Sequence, residues 1–503
     1  MSDQAIRSIL IVGGGTAGWI SAAVLSRFLP PERCSITLVE SEEIGTIGVG
    51  EATVPLMQHL NGLLGVDERE FVKATQGSFK LGIEFRDWGR IGDSFFHGFG
   101  DYGDAIEGVA PHHHWLKLRG EGDTTPIDAY SLPYAMARRG RFAPPSPDPA
   151  NQQHFYRYAF HFDALLYARY LRSYAEQRGV CRIEGKVVDT ELDGESGRIA
   201  AIVTADGQRH AADLFVDCSG FRGLLIEQAL GTGYEDWRHW LPCDSAVVAP
   251  STLTGPPAPY TRSTAREAGW QWRIPLQHRM GNGYVYSTRF TDDRRARDLF
   301  TSNVEGELLA DPRVLRFTTG RRLQFWNRNC VAIGLAGGFM EPLESTSIQL
   351  IQTGIARLIE YFPDRNWNPR IAEEYNRVTT SEFERIRDFL ILHYCLTRRD
   401  DAPLWDYCRT MALPDTLRHK IEVFKATGRV PLLAEESYQE PSWIAIFAGN
   451  GFLPDRYDPL VDRLDPERLR AGLAHRRQQL ARAAEAMPPH ALFIQRCCLA
   501  EAA

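Results

Sequence analysis

The chain has 503 residues, a net charge of −7 and 44% hydrophobic residues, which predicts a globular protein with more than one structural module. The acidic balance argues against a nucleic-acid surface, and no apolar run reaches the roughly 20 residues of a membrane span. The nine cysteines show neither a disulfide framework nor zinc-ligand spacing, so we expect free thiols and no metal site. The expected free thiols and the lack of a secretion-signal layout at the N-terminus together predict a cytoplasmic protein.

The first elements in the chain predict a βαβ unit. Ser8–Val12 is a short apolar run typical of a buried parallel strand, Ala17–Phe28 has the apolar spacing of a helix, and Ser35–Val39 is a second strand. A parallel pair of strands joined through a helix is the usual start of a nucleotide-binding fold.

A glycine fingerprint lies between the first strand and the helix, where residues 13–18 are GGGTAG. This matches G-x-G-x-x-G, in which Gly13 permits the tight turn, Gly15 lets a pyrophosphate approach, and Gly18 lets helix and strand pack. Glu40 closes the second strand, about 20 residues further on, where an acid would bind a ribose hydroxyl. The arrangement predicts a dinucleotide site.

The later elements continue an α/β pattern and then turn helical. Loops are predicted from about 110 to 150, followed by a helix that is capped by Asp163 and ended by Gly179, and by a strand Val180–Ile183. Two antiparallel strands, Trp270–Ile274 and Gly283–Arg289, are predicted to be joined by a turn at Met280–Asn282, and Asn329–Gly334 is a further strand. The last predicted elements are the helices Ser381–Leu396 and Pro466–Met487, the second of which is capped by Asp465.

Two further strands end in small-residue turns, at residues 217–220 and 334–338. Such returns toward the cofactor are typical of FAD enzymes with a split nucleotide domain. The second turn resembles the place where flavin hydroxylases carry Gly-Asp-Ala, but Leu335 stands where the Asp would be. This difference argues against an ordinary aromatic hydroxylase.

The fold class predicted from these elements is α/β. We expect an FAD-binding, GR2-type box like that of flavin monooxygenases, with a βαβ nucleotide fold and an antiparallel sheet, followed by a mostly helical, pyramid-like C-terminal part. The predicted boundaries are residues 1–375 for the box, with inserted substrate-site loops at about 95–150, and residues 376–503 for a substrate-side helical module.

Several independent stretches together resemble the flavin-dependent tryptophan halogenase family, from Ile9 to about Leu396. They are GGGTAGW (13–19), GEATVP (50–55), GSFKLGIEF (77–85), DCSGFRGLLI (217–226), LPCDSAV (241–247), GWQWRIP (269–275) and EPLESTSI (341–348). The most specific is W-x-W-x-I-P, formed by Trp270, Trp272, Ile274 and Pro275, because it separates these enzymes from flavin monooxygenases.

The resemblance implies a reaction in which reduced flavin, oxygen and a halide give hypohalous acid. Trp270 and Trp272 would keep the organic substrate away from the flavin, and a tunnel that also involves Ser345 would lead the oxidant to Lys80. Lys80 and Glu344 would be the catalytic residues. The apolar neighbours Phe79 and Leu81 argue that this lysine is buried, and it would act either as a chloramine or as a hydrogen-bond donor to the oxidant.

Other roles also follow only from the resemblance. Several members carry Gly where this chain has Ser347, so we expect an effect on halide affinity or on the preference between chloride and bromide. The remaining assignments are Ala17, Glu51, Val187, Leu335 and Ile348 at FAD, the backbone N–H groups of Thr346 and Ser347 at the halide, and His97, Phe99 and Trp443 at the substrate.

The partners implied are a small electron-rich aromatic molecule, such as tryptophan or indole, and a separate NADH-dependent flavin reductase, since the chain shows no second nucleotide site. A homodimer is an expectation of the same kind. Two alternatives remain open from the sequence: a flavin-dependent aromatic hydroxylase that reduces its own FAD, and a non-catalytic flavin-binding or sensor protein.

Overall fold

The computed structural model describes residues 4–44, 50–146 and 156–500. The chain divides into two compact units, each made of three separate stretches: a first unit of Met1–Gln76, Phe162–His239 and Phe317–Phe383, and a second unit of Gly77–His161, Trp240–Arg316 and Glu384–Ala503. These units interleave along the chain. The boundary predicted at residue 375 and the insertion at about 95–150 stay predictions.

The strands, in chain order, are β1 Ser8–Val12, β2 Ser35–Glu40, β3 Gly50–Ala52, β4 Ser78–Lys80, β5 Gly82–Arg86, β6 Ser94–Gly98, β7 Ala159–Asp163, β8 Cys181–Glu184, β9 Val187–Leu192, β10 Ile199–Thr204, β11 Arg209–Ala211, β12 Leu214–Asp217, β13 Tyr234–Asp236, β14 Ser245–Ser251, β15 Thr261–Arg266, β16 Gly269–Pro275, β17 Met280–Tyr286, β18 Arg313–Arg316, β19 Gly320–Arg322, β20 Trp326–Asn327, β21 Cys330–Ala332 and β22 Gly338–Phe339.

The α-helices are α1 Thr16–Phe28, α2 Leu56–Leu64, α3 Glu68–Ala74, α4 Pro111–Gly120, α5 Leu132–Ala137, α6 Ala164–Glu176, α7 Asp293–Asn303, α8 Ser347–Glu360, α9 Pro369–Cys395, α10 Pro403–Thr410, α11 Asp415–Thr427, α12 Glu440–Gly449, α13 Pro466–Ala486 and α14 His490–Cys497. Short 3-10 turns lie at Glu42–Ile44, Ile127–Tyr130, Gly220–Arg222, Gly334–Ala336, Pro342–Glu344 and Pro459–Arg463, and a π-helical turn at Leu224–Ala229.

The first unit is built on a six-stranded sheet in the order β20-β21-β12-β1-β2-β8. All neighbours pair in parallel except β20 and β21. The apolar side chains of β1 are buried, as expected for strands of a covered parallel sheet. Because parallel strands end at the same edge, the turns after β1, β12 and β21 meet at the carboxyl edge, where such sheets bind ligands.

The second unit contains a seven-stranded sheet in the order β18-β14-β17-β16-β15-β5-β6. Its pairs are antiparallel apart from β15 and β5. Strand β17 is buried along its whole length, and β16, which carries the two motif tryptophans, lies between β15 and β17. A separate antiparallel pair, β4 with β7, places Lys80 opposite Ala159.

The structure confirms the predicted fold class, a mixed α/β protein with parallel and antiparallel sheets and a helical C-terminal part. The capping residues Asp163 and Asp465 correctly predicted the starts of two helices. Asp163 accepts hydrogen bonds from the backbone N–H groups of Leu165 and Leu166 at the start of α6, and the Asp465 carboxylate accepts one from Arg468 at the start of α13. A side-chain oxygen at the N-cap satisfies otherwise unpaired helix amides.

Two element predictions were wrong. The hairpin turn predicted at Met280–Asn282 is part of β17, and the chain reverses instead at residues 276–279. The region from about 110 to 150, predicted as loops, contains α4 and α5, while residues 147–155 lie outside the described part of the chain. Helix α4 was missed because residues 112–118 are all buried, so the segment has no polar face to reveal a helical period.

Among the helices in the described ranges, none combines the length and apolar character that a membrane crossing requires. Within the same residues, no group of three or more His, Cys, Asp or Glu side chains is arranged to hold a metal ion.

Candidate functional site

The glycine turn after β1 is shaped by close backbone approach. Gly13 has φ +110°, and a Cβ at this residue would lie 2.3 Å from the carbonyl oxygen of Cys218, in the turn after β12. A Cβ at Gly18 would lie 1.8 Å from the carbonyl oxygen of Gly13. Both distances are far below van der Waals contact, so only glycine fits at these two positions.

Glu40 lies directly against this turn. A Cβ at Gly14 would lie 1.4 Å from Oε2 of Glu40, at the end of β2. The other carboxylate oxygen, Oε1, accepts a hydrogen bond from Nε of Arg182 at 2.5 Å, and the Arg172 guanidinium is 3.9 Å away. The two arginines therefore hold the Glu40 carboxylate beside the glycine turn.

The surroundings of this turn fit a dinucleotide cofactor. Gly15 is the N-cap of α1 and provides no side-chain capping bond, and the first amides of a helix have no intrahelical partner. Such a helix start attracts a pyrophosphate. A Cβ at Gly334 would lie 2.7 Å from the Cβ of Ala17, so the turn that contains Leu335 packs against the same helix start.

Glu51 is the middle residue of β3 and Val187 is the first residue of β9, both in the first unit. Burial raises the pKa of the Glu51 carboxyl to about 7. A carboxyl whose charge is disfavoured by desolvation is a common feature of functional sites.

The start of α8 has the features of an anion site. Its N-cap, Thr346, makes no side-chain capping bond, and the Thr346 Oγ1 is buried without a hydrogen-bond partner among residues 4–44, 50–146 and 156–500. Ser345 has φ +63°, in the left-handed region that non-glycine residues rarely adopt. This hydroxyl, unsatisfied within the described ranges, and the start of a helix, whose first amides have no intrahelical partner, fit a small anion.

The residues on either side of this helix start are buried. Glu344, in the short turn Pro342–Glu344, has no exposed surface, and Ile348 is 3% exposed. Ser347 has ordinary helical backbone as the first residue of α8. Its Cβ is therefore compatible with the local conformation.

Lys80 is the last residue of β4 in the second unit and has no exposed surface. Its Nζ lies 5.2 Å from the centroid of the Phe99 ring. The His97 and Phe99 rings meet edge to face with centroids 6.3 Å apart. The structure therefore brings together the predicted catalytic lysine and two of the three predicted substrate residues.

Trp270 and Trp272 project from the same face of β16. Their ring centroids are 6.0 Å apart, and both side chains are buried. Trp272 lies opposite Gly283 of β17, where a Cβ would come within 2.1 Å of the indole atoms Cζ2 and Cη2. Gly283, which sequence reasoning missed, is therefore needed for the position of the second indole. Ile274 and Pro275 complete the motif as buried residues of the strand.

Trp443 of α12 is completely buried. Its indole N–H donates to the carbonyl oxygen of Tyr438 at 3.1 Å, and Nζ of Lys420 lies 4.0 Å from the ring centroid. The Phe389 ring packs edge-on against the indole at 4.9 Å. In this structure the indole is thus packed in the interior of the second unit, and its role toward a substrate stays a prediction.

The predicted residues fall into two groups. The residues assigned to FAD and halide, together with Glu344 and Ser345, belong to the first unit, and Lys80, the substrate residues and the W-x-W-x-I-P motif belong to the second. The glycine turn and the start of α8 have the features of a nucleotide site and an anion site, and the buried Lys80 lies beside an aromatic ring.

Comparison with solved structures defines the class. The chain has the fold of flavin-dependent halogenases. It is similar to BrvH from Brevundimonas sp. BAL3, with a TM-score of 0.95 and 47% identity over 98% of this chain and 99% of that one. It is equally similar to Xcc4156, a flavin-dependent halogenase from Xanthomonas campestris, with a TM-score of 0.96 and 45% identity over 99% and 100% of the two chains.

The family follows from the sequence. The family model described as tryptophan halogenase matches residues 8–466. The tryptophan 6-halogenase SttH of Streptomyces toxytricini is 36% identical over 491 residues, which are 91% of this chain and 92% of the relative. The chain therefore belongs to the tryptophan halogenase family and is a flavin-dependent halogenase. These relatives support a halogenating enzyme and not the alternative of an aromatic hydroxylase.

Proposed function

We propose that this halogenase binds FAD at the glycine turn after β1 and a chloride or bromide ion at the start of α8. Two observations support the proposal: the close approaches that only Gly13 and Gly18 permit, and the buried hydroxyl of Thr346, which has no hydrogen-bond partner in the part of the chain that the structure describes. The backbone N–H groups of Thr346 and Ser347 would hold the halide. Glu40 would bind the ribose, and Leu335 and Ile348 would contact the flavin ring.

Reduced FAD, when bound, supplies with oxygen the two-electron oxidation that turns a halide into hypohalous acid. The chain's own task is then to guide that oxidant and activate it. A buried lysine suits this task, since its amine can carry the halogen when neutral or donate a hydrogen bond to the oxidant when protonated. Glu344 would orient the oxidant or accept the proton that the aromatic ring loses.

The proposed role of Trp270 and Trp272 is to fill the space through which a bulky aromatic molecule would otherwise reach the flavin. Both indoles are buried, and their ring centroids lie 6.0 Å apart. This supports a rigid steric barrier, because large aromatic side chains in a packed interior have few alternative positions. A hypohalous acid is small enough to pass beside such a barrier, whereas an indole is not.

The proposed substrate is an electron-rich aromatic molecule such as tryptophan or indole. The observation that carries this proposal is the position of the Lys80 Nζ, 5.2 Å from the centroid of the Phe99 ring, beside His97. Rings such as these stack on a planar aromatic ligand. Reduced flavin would come from a separate NADH-dependent reductase.

One assay tests the proposal. Purified protein is combined with FAD, a flavin reductase, NADH and either chloride or bromide, and an indole panel is analysed by mass spectrometry. Lys80→Ala should lower the yield of halogenated product by about a hundredfold or more, while flavin oxidation continues. Lys73→Ala is the matched control, because Lys73 is an exposed residue of α3. Full product formation by Lys80→Ala would refute the role of the lysine.

A further inference from the structure

A chain of buried hydrogen bonds joins the strand of Lys80 to the end of the W-x-W-x-I-P motif. The Ser78 hydroxyl donates to the carbonyl oxygen of Pro275 at 2.6 Å. The Ser78 hydroxyl oxygen lies 3.0 Å from Nδ1 of His161, and Nε2 of His161 lies 2.9 Å from the Thr261 hydroxyl. All four residues are buried, and all belong to the second unit.

Proton counting fixes the direction of the first two bonds in this chain. Ser78 has a single hydroxyl proton, and the Pro275 carbonyl can only accept, so that proton points to Pro275. Nδ1 of His161 must therefore carry a proton and donate to the Ser78 oxygen. When the imidazole is neutral, Nε2 carries no proton and accepts from the hydroxyl of Thr261.

The electrostatic surroundings agree with the neutral imidazole. Burial, the charge of Lys80 and the nearby His490 hold the pKa of His161 well below its usual value. His490 is itself buried, and burial lowers its pKa to about 4. Its Nε2 accepts a hydrogen bond from the backbone N–H of Phe79 at 3.2 Å, and its Nδ1 lies 2.8 Å from the carbonyl oxygen of Pro257, to which it donates.

The geometry matters for Lys80 because Ser78 and Lys80 are two residues apart on β4. Side chains at this spacing lie on the same face of a strand. Ser78 pairs with His161 across β4 and β7, whereas Pro275 belongs to β16 in the other sheet. The hydroxyl of Ser78 is therefore a direct side-chain link between the lysine strand and the motif strand.

We propose that Ser78 and His161 are positioning residues that hold the Lys80 amine in register with the motif strand through the carbonyl of Pro275. Their proposed action is indirect, through the position of the strand that carries Lys80. Displacing a catalytic group by about 1 Å can lower a rate by a hundredfold, so loss of the link should lower kcat much more than it changes KM. This inference rests on the proposed role of Lys80.

The test compares four variants in the halogenation assay: Ser78→Ala, His161→Phe, His161→Asn and Lys80→Ala. Phenylalanine removes both ring nitrogens, whereas the asparagine amide can still donate to Ser78. We expect Ser78→Ala and His161→Phe to lose about tenfold to a hundredfold in kcat, with KM for the aromatic substrate and the rate of flavin oxidation nearly unchanged. His161→Asn should recover a substantial part of kcat.

The outcomes separate the inference from the proposed function. Wild-type kcat in Ser78→Ala and His161→Phe, with an inactive Lys80→Ala, would overturn the positioning role alone. An active Lys80→Ala would overturn the role of the lysine itself. Equal losses in every Ser78 and His161 variant, accompanied by lost thermal stability and lost flavin oxidation, would show that the link serves folding and would also overturn positioning.

Discussion

Gly283→Ala is the substitution for which the structure gives the clearest magnitude. The added Cβ would lie 2.1 Å from Cζ2 and Cη2 of the Trp272 indole, whereas carbon atoms pack best at about 3.5–4.0 Å. One of the two groups must therefore move by roughly 1.4–1.9 Å. The indole is confined by Trp270 at 6.0 Å between ring centroids, so the movement meets a packed interior.

Overpacking of this kind costs about 1–3 kcal/mol, and we expect Gly283→Ala to lower the free energy of unfolding by that amount. The measurement is urea unfolding followed by tryptophan fluorescence and circular dichroism. Gly62→Ala is the matched control, because a Cβ at Gly62 meets nothing within 4 Å and Gly62 lies within α2. Alanine there should stabilise by about 0.5–1 kcal/mol.

Gly283→Ala also tests the proposal that Trp270 and Trp272 keep a bulky aromatic molecule away from the flavin. A displaced Trp272 should lower the amount of halogenated product formed per flavin oxidised, while the oxidation of flavin continues. The reasoning fails if Gly283→Ala unfolds at the same urea concentration as the wild type and a crystal structure of the variant retains the indole position.

Two further predictions concern buried charges. Burial raises the pKa of Glu51 from 4.5 to about 7, so in the FAD-free protein this carboxyl destabilises the folded state increasingly as pH rises from about 4.5 to 7. Glu51→Gln should therefore raise the free energy of unfolding more at pH 8 than at pH 5. An equal effect at both pH values would contradict this prediction. Lys420 forms an ion pair with Glu436, with both side chains 3% exposed, so Lys420→Met should cost about 3–5 kcal/mol by leaving a buried carboxylate unpaired. Lys425→Met, at the exposed ion pair with Asp455, should cost less than about 1 kcal/mol, and similar losses for the two lysines would refute the reasoning.

Local signals made much of the fold predictable. Strand β1 and helices α6 and α13 were found from apolar spacing and from the caps Asp163 and Asp465, because these signals depend on neighbours in sequence. The misplaced hairpin turn has a physical reason. Gly281, within the predicted turn, resembles a turn glycine but lies inside β17. Gly283 lies in the same strand, and the absence of a side chain there leaves space for the Trp272 ring.

The residues of the candidate site that belong to a sequence motif could be predicted, whereas the residues that join the site only through tertiary contacts could not. Lys80 and the motif tryptophans could be chosen from their sequence context, and Lys80, Trp270 and Trp272 are all buried. The partners of Ser78 could not be predicted, since His161 lies 83 residues and Pro275 lies 197 residues away along the chain. No local pattern records which strands will meet.

The hydrogen bond from Ser78 also gives the last residue of the W-x-W-x-I-P motif a second physical role. Any residue at 275 has a carbonyl group, but proline fixes its own φ near −65° and has no N–H to satisfy. Because Pro275 is buried at the end of β16, a residue with an N–H would need a partner there. Proline thus ends the motif strand without an unsatisfied donor and still presents the carbonyl oxygen that the lysine strand binds.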